Sequence, residues 1–66
     1  MKITVNGNSL DTANGITLSE LVRSLNYDIR LIAVELNGVI PSKSEYASIT
    51  INEGDTIEIV TFMGGG

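Results

Sequence analysis

Hydrophobic and polar residues alternate near the beginning of the chain with the period of two that a half-buried β-strand shows. Ile3 and Val5 point to one side of such a strand, and their polar neighbours point to the other. The pair Asn6-Gly7 then predicts a type I′ hairpin turn, since both central residues of that turn need a positive φ. This short loop places Ile3 opposite Leu10, so the first two strands form an antiparallel hairpin.

The apolar spacing changes to that of a helix after residue 15. Thr17 can cap the N-terminus of this helix, and Glu20 can complete a capping box with it, while Ile16 has the position of a hydrophobic staple. Apolar side chains then recur at the i, i+3, i+4, i+7 spacing of one buried stripe. The stripe comprises Leu18, Leu21, Val22 and Leu25. We therefore predict a short helix over about residues 18–25.

The segment after the helix predicts two more strands joined by a tight turn. Residues 31–36 are mostly apolar and have the composition of a strand. A second Asn-Gly pair, Asn37-Gly38, turns this strand into a short partner at residues 39–40. Pro41 has no backbone N–H to donate and therefore ends the regular pairing.

The last third of the chain contains a polar segment and the last predicted strand. Residues 42–48 are mostly polar, and we expect a loop or one helical turn anchored by Tyr46. Apolar residues alternate over residues 49–51, and a turn at residues 53–55 then leads into the last strand, residues 56–62.

The predicted order is strand, strand, helix, strand, strand, strand, which indicates an α+β domain. One helix covers only one face of a sheet, so a two-layer architecture follows. We expect residues 1–63 to form this single domain and residues 64–66 to form a flexible C-terminal arm.

The last strand presents different side chains to its two faces. If Ile57 and Ile59 face the helix, Val60 and Phe62 lie on the face that no helix covers. Exposed apolar side chains of this kind mark interaction sites, and Val60, Phe62 and Met63 are therefore candidate partner-binding residues. The alternative is that Phe62 closes the end of a very small core.

Composition and charge exclude several classes of protein. The 66 residues include no Cys and no His, which rules out disulfides and thiolate or imidazole metal sites. The net charge of −4 argues against nucleic-acid binding. No apolar run reaches the ~18 residues of a membrane span, and no signal-peptide segment precedes the first strand. We therefore expect a cytoplasmic protein with no membrane segment and no metal site.

Three glycines, Gly64, Gly65 and Gly66, end the sequence directly after an apolar pair. A backbone without Cβ atoms can thread a channel that side chains would block. The α-carboxylate of Gly66, whose ordinary pKa is roughly 3.3–3.7, is ionised at neutral pH and can attack an activated phosphate. The alternative is a frayed terminus or an expression scar.

Taken together, these segments resemble the ThiS sulfur-carrier family over the whole chain. The segments that carry the likeness are ITVNG at 3–7, TLSEL at 17–21, IAVELNGVIP at 32–41, EGD at 53–55 and IEIVTFMGGG at 57–66. The resemblance implies a ubiquitin-like β-grasp fold, in which the first and last strands run parallel in the middle of a mixed sheet.

The resemblance also implies a function and a set of partners. A ThiF-like adenylating enzyme, using Mg-ATP, would convert the Gly66 carboxylate to an acyl-adenylate, while Gly64 and Gly65 thread the arm into its active site. Sulfur from a donor such as a cysteine desulfurase would then give a thiocarboxylate. A thiazole synthase would take this sulfur into the thiazole of thiamin. The carrier itself would be a protein co-substrate with no bound cofactor, not an enzyme.

Some residues depart from the family pattern. Ser42 precedes Lys43 where a basic residue commonly follows the proline directly, and Tyr46 stands where Trp is common. Thr61 stands where a basic residue or His is common, and Met63 stands where Val is frequent. These differences keep two alternatives open. The first is a sibling carrier that donates sulfur to molybdopterin or another metabolite. The second is a ubiquitin-like modifier or docking domain.

Overall fold

The computed structural model describes residues 1–62, and its first element is the predicted hairpin. Strand β1 (Lys2–Val5) pairs antiparallel with β2 (Asn8–Asp11). The register places Ile3 opposite Leu10, and Asn6 and Gly7 have φ values of 49° and 84°. Both turn residues therefore adopt the left-handed backbone that the Asn-Gly pair predicts.

Helix α1 (Leu18–Ser24) begins at the predicted capping box. Thr17 Oγ1 accepts a hydrogen bond from the Glu20 N–H at 3.1 Å, and Glu20 Oε1 accepts one from the Thr17 N–H at 2.9 Å. The helix ends one residue before the predicted boundary, and Asn26, with φ 66°, turns the chain away. Within residues 1–62, no helix has both the length and the apolar character needed to cross a membrane.

The second half of the described chain contains two strands and two 3₁₀ helices. A first 3₁₀ helix (Ile29–Leu31) leads into strand β3 (Ile32–Leu36). A second 3₁₀ helix (Lys43–Ser48) corresponds to the predicted helical turn, and β4 (Thr56–Thr61) is the final strand. Tyr46 is buried in the second 3₁₀ helix, as the prediction of an anchoring aromatic requires.

The extra strand predicted at residues 39–40, between β3 and β4, is wrong, because no strand forms there. Val39 makes only an isolated bridge to Leu36, because Pro41 follows too soon for a ladder to extend. Thr50 bridges Thr17 in the segment before α1 instead of joining the sheet. The chain around Thr50 therefore holds the N-terminus of the helix in place.

The sheet has four strands in the order β2-β1-β4-β3. Its two central strands, β1 and β4, are parallel, and both outer strands pair antiparallel with them. The Asn6 side chain extends the parallel pairing, since its Oδ1 accepts from the Ile59 N–H at 2.7 Å and its Nδ2 donates to the Ile59 carbonyl at 3.3 Å. This topology confirms the mixed β-grasp sheet with the first and last strands in the middle.

The hydrophobic core lies in a single layer between α1 and one face of the sheet, the inner face. Its buried side chains come from α1, from the three strands β1, β3 and β4, and from the second 3₁₀ helix and the segment that follows it. They are Ile3, Leu18, Leu21, Val22, Ile32, Val34, Tyr46, Ile51, Ile57 and Ile59. The α+β class with one helix on one face is confirmed, and no helix or strand among residues 1–62 covers the opposite face of the sheet.

Candidate functional site

Strand β4 separates its side chains between the two faces as the alternation predicts. Ile57 and Ile59 are 0% and 6% exposed in the core, whereas Val60 and Phe62 are 58% and 59% exposed on the uncovered face. Phe62 therefore does not close the core. Two large apolar side chains stand in solvent at the end of the last strand, which favours their interpretation as partner-binding residues.

Strand β3 continues this uncovered face, which we call the outer face. Ala33 pairs with Val60, and Glu35 pairs with Glu58, in the antiparallel register of the two strands. Ile40 reaches over the same surface from the turn after β3 and is 68% exposed. These side chains and Val34 line a groove of about 180 Å³. Sequence patterns indicated Val60 but gave no sign of Ile40, whose place depends on the path of the chain after the Asn37-Gly38 turn.

The last described residue, Phe62, is held by both its backbone and its ring. Its N–H donates to the Leu31 carbonyl at 2.7 Å. The Lys43 Nζ lies 5.8 Å from the centroid of the Phe62 ring, within cation–π range, and donates to the Arg30 carbonyl at 3.2 Å. Lys43 therefore connects the second 3₁₀ helix to the end of β4. No local pattern links two residues this far apart in sequence.

An ion pair supports the segment that receives the Phe62 N–H. Arg30 Nη2 lies 2.7 Å from Asp28 Oδ2. Asp28 Oδ1 also accepts a hydrogen bond from the backbone N–H of Arg30 at 3.0 Å, which caps the first 3₁₀ helix. The side-chain hydrogen bond from Arg30, followed by the backbone one, lowers the pKa of Asp28 from 3.8 to about 2. The same pairing raises the pKa of Arg30. Asp28 is thus ionised at neutral pH and keeps the turn before β3 capped.

The predicted reactive residues follow Phe62 directly in the sequence. Met63, Gly64, Gly65 and Gly66 lie outside the described residues, as does the predicted domain boundary at residue 63. Their roles in docking, threading and adenylation stay predictions. The structure shows that Phe62, the last described residue, presents an exposed ring on the outer face.

The polar residues around the second 3₁₀ helix stabilise that helix through hydrogen bonds. Glu45 caps the second 3₁₀ helix by accepting from the Ser42 N–H at 3.1 Å, and its carbonyl accepts from the Ser48 hydroxyl at 2.9 Å. Ser42 and Ser48 therefore make hydrogen bonds that support the 3₁₀ helix. Over residues 1–62 there is no cluster of three or more side chains suited to hold a metal ion. A larger cavity of about 280 Å³, between the β1–β2 hairpin and the end of α1, contains none of the predicted site residues.

Comparison with known proteins gives matches along the full length of the chain. The model of the ThiS family matches residues 3–66. The crystal structure of a thiamine biosynthesis protein (ThiS) from Geobacter metallireducens superposes with a TM-score of 0.83 and 35% identity, covering 100% of both chains. The sulfur carrier protein ThiS of Bacillus subtilis is 36% identical over 50 residues, which is 76% of each chain.

A longer relative matches as well. A thiazole synthase of Paramagnetospirillum magneticum is 42% identical over 66 residues, and the chain spans 20% of the length of that protein. A segment like this chain therefore occurs within a larger polypeptide. Since the family model covers residues 3–66 and the fold is that of a solved member, the chain belongs to the ThiS family.

Proposed function

We propose that this protein is a sulfur carrier for the thiazole of thiamin, with the α-carboxylate of Gly66 as its reactive group. The observation that carries the proposal is a ThiS-family match that includes the glycines at the end of the chain. The relatives support it, because their names include a sulfur carrier, a thiamine biosynthesis protein and a thiazole synthase. The proposal requires a free carboxylate on Gly66.

The proposed reaction begins with activation of the Gly66 carboxylate, which is a poor electrophile. A carboxylate oxygen of Gly66 attacks the α-phosphorus of Mg-ATP bound to a ThiF-like adenylating enzyme, and pyrophosphate leaves. The terminal sulfur of a persulfide, formed by a donor such as a cysteine desulfurase, then attacks the acyl carbon, and AMP leaves. A thiol cleaves the resulting acyl disulfide and releases the Gly66 thiocarboxylate. Nucleotide and metal are bound by the partner enzyme.

The folded part of the chain would supply recognition in this scheme. Val60 and Phe62 present apolar surface on the outer face, and Met63 follows them in the sequence. Residues 63–66 span at most about 14 Å beyond Phe62 at ~3.3–3.6 Å per residue. An enzyme seated on the outer face must therefore hold its ATP within about that distance, and Gly64 and Gly65 offer no side chains to obstruct entry.

The thiazole synthase match supports the last transfer step. Joining a carrier to the enzyme that consumes its sulfur replaces a bimolecular encounter with an intramolecular one at high effective concentration. A carrier-like segment within a thiazole synthase is therefore a reason to propose a thiazole synthase as the acceptor.

Intact-mass spectrometry tests the proposal. The chain is incubated with a ThiF-family enzyme, Mg-ATP and sulfide, and the mass of the carrier is measured before and after. We expect a gain equal to the difference between sulfur and oxygen, located on Gly66 by fragmentation, and no gain when ATP is omitted. An unchanged mass would contradict sulfur carriage. A gain equal to the mass of a whole protein would favour the ubiquitin-like modifier.

A further inference from the structure

Two carboxylates face each other on the outer face. Glu35 and Glu58 are direct cross-strand partners of β3 and β4, and both are exposed. Like charges in this arrangement destabilise a sheet. Over residues 1–62, no Lys or Arg nitrogen lies within the 4.0 Å of an ion pair from either carboxylate. The repulsion between Glu35 and Glu58 is therefore not relieved by an ion pair within the described residues.

The cations of the chain are engaged elsewhere or lie in the other layer. Lys2 pairs with Asp11 at 3.7 Å, and Arg30 pairs with Asp28 at 2.7 Å. Lys43 donates to a backbone carbonyl and faces the Phe62 ring. Arg23 is on α1, in the layer that covers the inner face. A cation for the glutamate pair must therefore come from another molecule.

Apolar side chains surround the glutamate pair. Glu35 and Glu58 line the groove of about 180 Å³ together with Ala33, Ile40 and Val60. Lysine and arginine combine an apolar stem with a cationic head. The stem of such a residue can pack on Val60 and Ile40 while its head lies between the two carboxylates. The groove is thus suited to one basic side chain framed by apolar neighbours.

Resting on the proposed function, we propose that this groove docks the adenylating enzyme through a Lys or Arg of that enzyme placed between Glu35 and Glu58. An enzyme that binds ATP concentrates positive charge near the phosphates, and complementary charge speeds association and fixes orientation. A second copy of this chain also has a net charge of −4 and would bring more acid to the groove. Anionic lipid surfaces are disfavoured for the same reason.

The test is ATP–pyrophosphate exchange by a ThiF-family enzyme as the concentration of carrier is varied. The variant is Glu35→Gln/Glu58→Gln, which keeps side-chain size and removes both charges. Asp11→Asn is the control, since Asp11 lies on the same outer face but on strand β2. Strand β2 is two strands away from β4, or about 10 Å at ~4.8 Å per strand. We expect the double variant to raise the KM for carrier about tenfold at unchanged kcat, and the control to match wild type.

Two further readouts separate docking from structural damage. The melting temperature of the double variant should equal or exceed that of wild type, because like-charge repulsion is relieved. Raising the salt concentration should increase the KM of wild type more than that of the double variant. A KM of the double variant equal to that of wild type at low salt would overturn the inference while leaving the proposed function in place.

Direct titration of enzyme with carrier covers the remaining outcomes. If wild type supports no exchange, the proposed function fails, but weaker binding of the double variant than of wild type would still support this docking site. Absence of binding would overturn both. A carrier dimer in sedimentation that Val60→Asp disrupts would assign the groove to a second copy and overturn the inference.

Discussion

The two faces of β4 carry similar apolar residues with opposite consequences. Ile57 and Ile59 on the inner face are buried against the helix layer, whereas Val60 and Phe62 on the outer face remain more than half exposed. Burying such a side chain contributes about 1.5–3 kcal/mol, which only the inner pair realises. The comparison teaches that a single strand can stabilise the core with one face and leave apolar side chains on the other face free for the recognition proposed above.

This separation is useful because the domain is small. A protein of this size has few core residues, and a single core rarely supplies more than about 3–5 kcal/mol of net stability. The outer face can therefore change to fit a partner without affecting the core, while the inner face tolerates little change. Substitutions can thus probe one face at a time.

The largest effect is expected from Leu21→Ala on the helix side of the core. Leu21 is fully buried in the middle of α1, and truncation of a buried leucine costs about 2–5 kcal/mol. That loss approaches the whole stability of the domain, so most of the variant should be unfolded. Circular dichroism and a thermal melt check this, and a melt near that of wild type would show that Leu21 contributes little to the core.

A matched pair on β4 tests the contrast between faces directly. Ile59→Ala should cost about 2–5 kcal/mol because it opens a cavity in the core. Phe62→Ala removes an exposed ring and should stay within about 0.5 kcal/mol of wild type, yet raise the KM for carrier in adenylation. Chemical denaturation and exchange kinetics are run on both variants. Equal losses of stability would contradict the separation.

A smaller effect of opposite sign is expected at Glu58. Since Glu58 directly faces Glu35 across the strands, Glu58→Gln should raise stability by about 0.2–1 kcal/mol. The gain should shrink as salt screens the repulsion. Denaturant titrations at low and high salt measure it. A destabilised variant would show that Glu58 makes a favourable contact within the chain.

The smallest effect concerns the Asp28–Arg30 pair. Its hydrogen bonds lower the pKa of Asp28 in the folded protein to about 2, below the value of ~3.9 for an unperturbed Asp. The stabilisation is thus fully present above about pH 4 and is lost as the pH falls through about 2. Because the pair is exposed, the change should be slight. A carboxyl NMR titration of Asp28 with a midpoint near 4 would contradict the pairing.

Local signals in the sequence predicted much of the fold. The Asn6-Gly7 turn and the Thr17/Glu20 capping box depend on residues close in sequence, and both are confirmed. The alternation along the last strand was enough to assign Val60 and Phe62 to the outer face. The resemblance to the ThiS family supplied the strand order, which no local pattern could give.

Features that depend on distant pairing were missed. The groove needs the register of β3 against β4, which places Glu35 opposite Glu58, and the contact of Lys43 with Phe62 needs the second 3₁₀ helix to reach the sheet. The extra strand at residues 39–40 was wrongly predicted because the Asn37-Gly38 turn signal does not show how far pairing continues, and only an isolated Leu36–Val39 bridge forms before Pro41. Periodicity reports which face is buried, not which neighbour covers it.

The central claim is that Gly66 carries the chemistry while the folded domain provides docking. ATP–pyrophosphate exchange with a ThiF-family enzyme tests it on wild type, on a chain lacking Gly66 and on a chain extended by one glycine. Each edit moves the carboxylate by ~3.5 Å, and a misplacement of even ~1 Å can cost about 100-fold in rate. We predict loss of exchange in both variants at unchanged melting temperature. Exchange by the Gly66 deletion at the wild-type rate would contradict the account.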